Sequence, residues 1–112
     1  MSGSDPTPFS ITVDEQDGHV AIAARGELDL ATAPAFEAAV LPVVSHGGHA
    51  VIDLRALEFM DSSGVRVIVA AHLAAGEHDG RLSLVRLDPA SPIHRVLAIS
   101  GLDGVLDFID GA

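Results

Sequence analysis

Several absences narrow this 112-residue chain before any motif is read. It has no cysteine, which excludes disulfides and thiolate metal sites and fits a reducing compartment. It has no Trp or Tyr and only four Phe, so its core is aliphatic, and a surface that stacks sugars or bases is disfavoured. Basic residues are scarce: 6 Lys+Arg stand against 16 Asp+Glu, a formal net charge of -10. Such a chain repels phosphate backbones and anionic lipid, so no nucleic-acid partner is expected. The acidic surface suits a basic protein partner, or simply solubility, and charge does not choose between them. No apolar run reaches the roughly 18–20 residues of a membrane helix, so no membrane insertion is expected. Residues 1–8 hold no basic-then-apolar leader. The expectation is one soluble, cytoplasmic domain, with residues 1–8 a flexible N-terminal tail and residues 9–112 the folded part.

What is present is a 48% hydrophobic composition with changing periodicity. Phe9, Ile11 and Val13 alternate with polar residues, which predicts a half-buried strand. Asp17-Gly18 is a hairpin turn, and Val20, Ile22 and Ala24 continue as a second strand ending near Gly26-Glu27-Leu28-Asp29. Phe36, Ala39, Val40, Val43 and Val44 then mark one helical face, with Thr32 as its N-cap and Pro34 in the first turn. Pro42 predicts a kink or a shortened helix, and Gly47-Gly48 the end of the element. Residues 50–54 read as a buried central strand. Residues 62–75 read as a second helix with Val65, Ile68, Val69, His72 and Leu73 inward, stopping at Gly76 before an Asp79-Gly80 turn. Leu82, Leu84 and Leu87 give a fourth strand. Ser91-Pro92 opens a third helix on Ile93, Val96 and Leu97, closed by Gly101, and residues 105–109 give a last short strand. The order β-β-α-β-α-β-α-β predicts an α/β domain: a mixed sheet of four to five strands with helices mainly on one face.

The stretch that invites chemistry is Met60-Asp61-Ser62-Ser63-Gly64, where a strand hands over to a helix. A helix start exposes unpaired N–H groups and the positive end of the dipole, so Asp61 and Ser62 read first as caps, and phosphate also binds there readily. Enzyme chemistry finds little support. Six histidines are present, but there is no H-E-x-x-H; His72 and His78 are six apart, and His46 and His49 flank Gly47-Gly48 without a third ligand. No metal and no cofactor is expected. A serine on a strand-to-helix turn resembles a nucleophile elbow, yet neither Ser62 nor Ser63 has the upstream glycine of G-x-S-x-G, and Asp61 would oppose an oxyanion. A small serine hydrolase stays as the lesser alternative. Nucleotide-binding glycine motifs are absent. A serine at an exposed helix start followed by Gly64, which leaves room for a partner's active site, suits phosphorylation. The added charge of about −1.5 to −2 would then act on a docking partner rather than on the fold. The periodicity turns Arg66, Val67 and Ala70 outward, an apolar strip beside the serines that serves either as a partner site or as packing under a loop.

Four features together resemble one family. They are Gly26-Glu27-Leu28-Asp29, Ile52-Asp53-Leu54, Phe59-Met60-Asp61-Ser62-Ser63-Gly64, and the segment from Ser91-Pro92 to Ser100-Gly101-Leu102. In this order and spacing the chain is similar to single-domain anti-sigma factor antagonists of the STAS domain family, over residues 9–109. The resemblance implies a regulatory switch protein and not an enzyme. Such a protein binds an anti-sigma factor that is also a serine kinase of the GHKL ATPase type, and so frees a sigma factor for transcription. It implies that Ser63 is the phospho-acceptor, that phosphorylation releases the complex, and that a serine phosphatase restores it. It places Asp29 close to Ser63 in the docking surface, gives Asp61 and Ser62 the shaping of the turn, and extends the surface over Gly64, Arg66 and Val67. Between the two serines, Ser62 is expected to cap and Ser63 to meet the kinase. A STAS module of a stress-signalling or lipid-transport complex is the alternative within the family, and direct nucleotide binding is a further one.

Overall fold

Asp17 and Gly18 turn the chain back on itself, Gly18 taking the left-handed φ of 86° that a two-residue turn requires. This joins β1 (Ser10–Gln16) to β2 (His19–Leu28) as an antiparallel pair, with Gln16 opposite His19. The computed structural model describes residues 7–111. After the hairpin come α1 (Ala33–Ser45), β3 (His49–Met60), α2 (Ser62–Glu77), β4 (Arg81–Val85), α3 (Pro92–Ile99) and β5 (Asp107–Ile109). The strands form one sheet in the order β1-β2-β3-β4-β5, parallel from β2 onward. Each crossover steps one strand further in the same direction, so right-handed connections carry the helices to one face. There α1 and α2 pack on each other and on β3, and α3 packs on β3. Ile22, Phe36, Val40, Ile52, Ile68, Leu84 and Leu97, all fully buried, belong to one apolar cluster. The expected mixed sheet with helices over it is what forms.

Several local expectations need correction. The central strand does not stop at residue 54 but runs to Met60, because β2 keeps pairing with it as far as Leu28↔Met60. Strand β1 is an edge, and its Val13 is 56% exposed. Helix α1 is not shortened by Pro42: it continues to Ser45, the residue lacking an N–H falling in its last turn. Thr32 sits at the N-cap position of α1 but makes no side-chain cap bond. Helix α2 passes through Gly76 to Glu77, and the left-handed residue after it is Asp79, at φ 56°.

The largest correction concerns the rotation of α2. Its buried residues are Gly64, Val67, Ile68, Ala71 and Ala75. Leu73, expected inside, is 59% exposed, whereas Val67, expected outside, is 6% exposed. Small residues face inward because the helix lies close against the strands and α1. A Cβ built on Gly64 would stand 2.8 Å from Leu28 and from Met60, so any side chain there would force these buried neighbours to shift. Gly64 therefore serves the core, a role the sequence did not assign to it.

Of the expected tail, only Thr7 and Pro8 lie within the described residues, and the Thr7 hydroxyl donates to Glu58 at 2.6 Å. Among the described residues no helix is long and apolar enough to cross a membrane.

Candidate functional site

Parallel pairing of β2 with β3 sets Glu27 beside Phe59 and Leu28 beside Met60. The motifs at residues 26–29 and 60–64 thus lie side by side at the carboxyl ends of adjacent strands, where open α/β sheets present their binding sites. The Asp61 N–H donates to the Leu28 carbonyl at 3.2 Å, which ties the second motif to the first.

The turn into α2 is closed by Asp61. Its backbone is extended, and its carboxylate accepts from the Ser63 N–H at 2.8 Å, while its carbonyl accepts from Gly64 and Val65. Asp61, not Ser62, is therefore the cap: a carboxylate accepts the orphan N–H groups more strongly than a hydroxyl and complements the helix dipole. Ser62 becomes the first helical residue and is exposed; Ser63 follows and is half-buried. Among the described residues neither serine hydroxyl makes a side-chain hydrogen bond, so the Ser63 oxygen is not occupied by structural duty.

Asp29 organises the equivalent turn into α1. Its carboxylate accepts from the N–H groups of Ala31 and Thr32 at 3.0 and 3.1 Å, and its own N–H donates to the Thr32 hydroxyl at 2.9 Å. Thr32 is thus spent on the loop, its hydroxyl donating to the Glu27 carbonyl at 2.8 Å. Asp29 is a builder of that turn and lines a hollow with Thr7, Phe9 and Glu27, separate from the groove that holds Ser63.

A groove of about 170 Å³ runs between the starts of α1 and α2. Ser63, Arg66 and Val67 line it from α2; Leu30, Ala33, Pro34 and Glu37 line it from the other side. Of the residues singled out in the sequence, it brings Ser63, Arg66 and Val67 together. Ser62 stands outside it, and Asp61 and Gly64 support it from beneath. Sequence reasoning missed Leu30, Pro34 and Glu37. Leu30, 75% exposed directly after Gly-Glu-Leu-Asp, was the available signal, since a bare leucine in a polar turn has no packing reason to be there.

The histidines lie elsewhere. His49 bonds Ser83 at 2.8 Å and Ser83 bonds Asp107 at 2.6 Å, with Arg81 also on Asp107. Asp107, as a carboxylate, only accepts, so Ser83 donates to it and receives the His49 Nε2–H. Burial holds the His49 pKa down, helped by the charges of Arg81 and His19 and opposed by Asp107. The Ser83 hydrogen bond, then Arg81, holds the Asp107 carboxyl below its ordinary value. His49 opens β3 and Ser63 lies past its far end, so the network is about 35 Å of strand away from the serines. His46 turns back to the Pro42 carbonyl at 2.7 Å instead of joining His49. No group of three His, Asp or Glu able to hold a metal occurs among the described residues.

Known proteins resemble this chain in sequence and fold. A family model described as "Mlab, STAS domain" matches residues 11–108. The anti-sigma-F factor antagonist RsfB of Mycobacterium tuberculosis is 37% identical over 75 residues, which cover 66% of this chain and 62% of that protein, less than two thirds of its length. The anti-sigma-B factor antagonist of Listeria monocytogenes is 33% identical over 101 residues, 88% of this chain and 87% of the relative. The crystal structure of an anti-sigma factor antagonist from Mycobacterium paratuberculosis matches with a TM-score of 0.78 at 31% identity, covering 93% of this chain and 87% of that one. With its sheet, its paired motifs and these relatives in agreement, the chain belongs to the STAS domain family.

Proposed function

We propose that this protein is an anti-sigma factor antagonist. It binds an anti-sigma factor that is also a serine kinase of the GHKL ATPase type, and the sigma factor held by that partner is released. The kinase transfers the γ-phosphoryl group of ATP to the Ser63 oxygen; the hydroxyl proton passes to a base of the kinase and ADP leaves. The antagonist then dissociates, and a serine phosphatase hydrolyses the ester. Relatives named as anti-sigma factor antagonists support the reading. The observation that carries it is the position of Ser63: a hydroxyl with no hydrogen bond among the described residues, at a helix start, on the wall of a groove with an exposed Leu30. The net charge of -10 favours a basic patch on the partner and speeds encounter, an effect that salt weakens.

The test is to incubate the protein with purified GHKL-type kinases from its own cell and ATP, and to map phosphate by mass spectrometry. Label on Ser63, and none on Ser63→Ala, is expected. Equal labelling of Ser63→Ala would overturn the reading. A second reading is a STAS module in a different complex, such as one of stress signalling or lipid transport; the matching family model names a STAS domain, which fits either reading. Pull-down from the source cell separates the two by whether a kinase or a transport component is retained.

A further inference from the structure

The six basic residues of this chain are all arginine. Arg55, Arg81 and Arg86 are held in ion pairs with Asp53, Asp107 and Asp110. Arg25, Arg66 and Arg95 are exposed and in no ion pair among the described residues. Of these three, Arg66 is the one that lines the groove on which Ser63 lies. It stands three residues after Ser63 in one helix, so the two side chains leave the same face about 5–6 Å apart at their Cβ atoms. The other charges near Ser63 are negative. Glu37 lines the groove from α1, and the Asp61 carboxylate is bonded to the Ser63 backbone N–H.

We infer that Arg66 is the receptor for the phosphate on Ser63, pairing with it along the face of α2 within the same molecule. The inference rests on the phosphorylation proposed above. A phosphoserine dianion at this position meets Glu37 and Asp61, both acids, and among the groove-lining residues only Arg66 offers it a cation. A guanidinium presents a planar fork that matches two phosphate oxygens at once, which an ammonium does not. The helix start adds partial positive charge but selects no ligand by itself; the arginine on the same wall does. Pairing has a second effect. It withdraws the groove's cation from any docking partner, so modification changes two charges on the surface rather than one.

The inference is tested without a kinase, on protein carrying phosphoserine at position 63 introduced during translation. The second phosphate pKa, near 6 for a free phosphoserine, is followed by phosphorus NMR. Arg66 is expected to lower it relative to Arg66→Gln by about 0.2–0.7 of a pH unit, the range an exposed ion pair supports. Arg66→Lys should fall between, and the difference should shrink in high salt. The Arg66 side-chain N–H signal should move between the modified and unmodified proteins. Coincident titrations of the native and Gln proteins, with an unmoved Arg66 signal, would overturn the inference. Failure of every kinase to label Ser63 would instead overturn the proposed function and leave the titration result standing.

Discussion

The two ends of the sheet use polar groups in opposite ways. At the end where β3 begins, His49, Ser83, Asp107 and Arg81 are joined to one another, and Ser83 is completely buried. At the end where β3 finishes, Asp61 and Asp29 are joined to the backbone of their own turns, while Ser63, Arg66 and Leu30 are left facing outward. The difference teaches which polar groups hold the fold and which are available to another molecule. Groups that complete each other inside the chain contribute to stability. Groups that the chain positions but does not satisfy offer themselves to a partner.

Three outcomes bear on this comparison. The largest is expected at Gly64. Gly64→Val gains helix propensity but forces a side chain into Leu28 and Met60, and should destabilise the fold by about 2–3 kcal/mol in urea denaturation. A stability change within error would mean that the seat of α2 is softer than the packing indicates. Next comes Ser83→Ala, which removes the link between His49 and Asp107. It should lower stability by about 1 kcal/mol and leave partner affinity unchanged. Weaker binding in that variant would erase the distinction between the ends.

The smallest effect is in pH. His49 titrates below its ordinary 6.5 in the folded protein, so the unfolded chain binds the proton first as pH falls. Stability from this group is therefore full above pH 6.5 and is lost as pH drops from there through the folded pKa. Asp107 works lower: its contribution is full above its ordinary 3.8 and is lost below it, through the depressed folded pKa. Thermal melts from pH 7 to 5 should show a small decline that His49→Gln flattens. An unchanged decline would place its origin in another histidine.

The sequence carried much of this in its periodicities and punctuation. The hairpin at Gly18, the Ser91 cap of α3 and the left-handed Gly101 all appear where turn chemistry put them. The family resemblance, resting on four features in order, led to the right sheet, and parallel pairing is what sets two of them, at residues 26–29 and 60–64, side by side. What stayed hidden was set by closeness of packing. The inward face of α2 was read from its large residues, but Gly64, Ala71 and Ala75 lie inside, chosen for the short distance to the strands. The groove escaped notice for a related reason. Leu30, Pro34 and Glu37 come from a loop and a helix whose placement against α2 depends on tertiary contact, which no local pattern encodes.

The bond between Asp61 and Leu28 has a mechanical meaning. The Asp61 N–H is fixed to the Leu28 carbonyl, Asp61 holds the Ser63 N–H, and Gly64 is wedged between Leu28 and Met60. A serine mounted on so short a chain of rigid links has little slack to take up. Under the proposed function, a phosphate added there need not rearrange the domain in order to be noticed. It acts as a label on a fixed post, legible by charge alone, and the speed of the switch is then that of the enzymes that write and erase it.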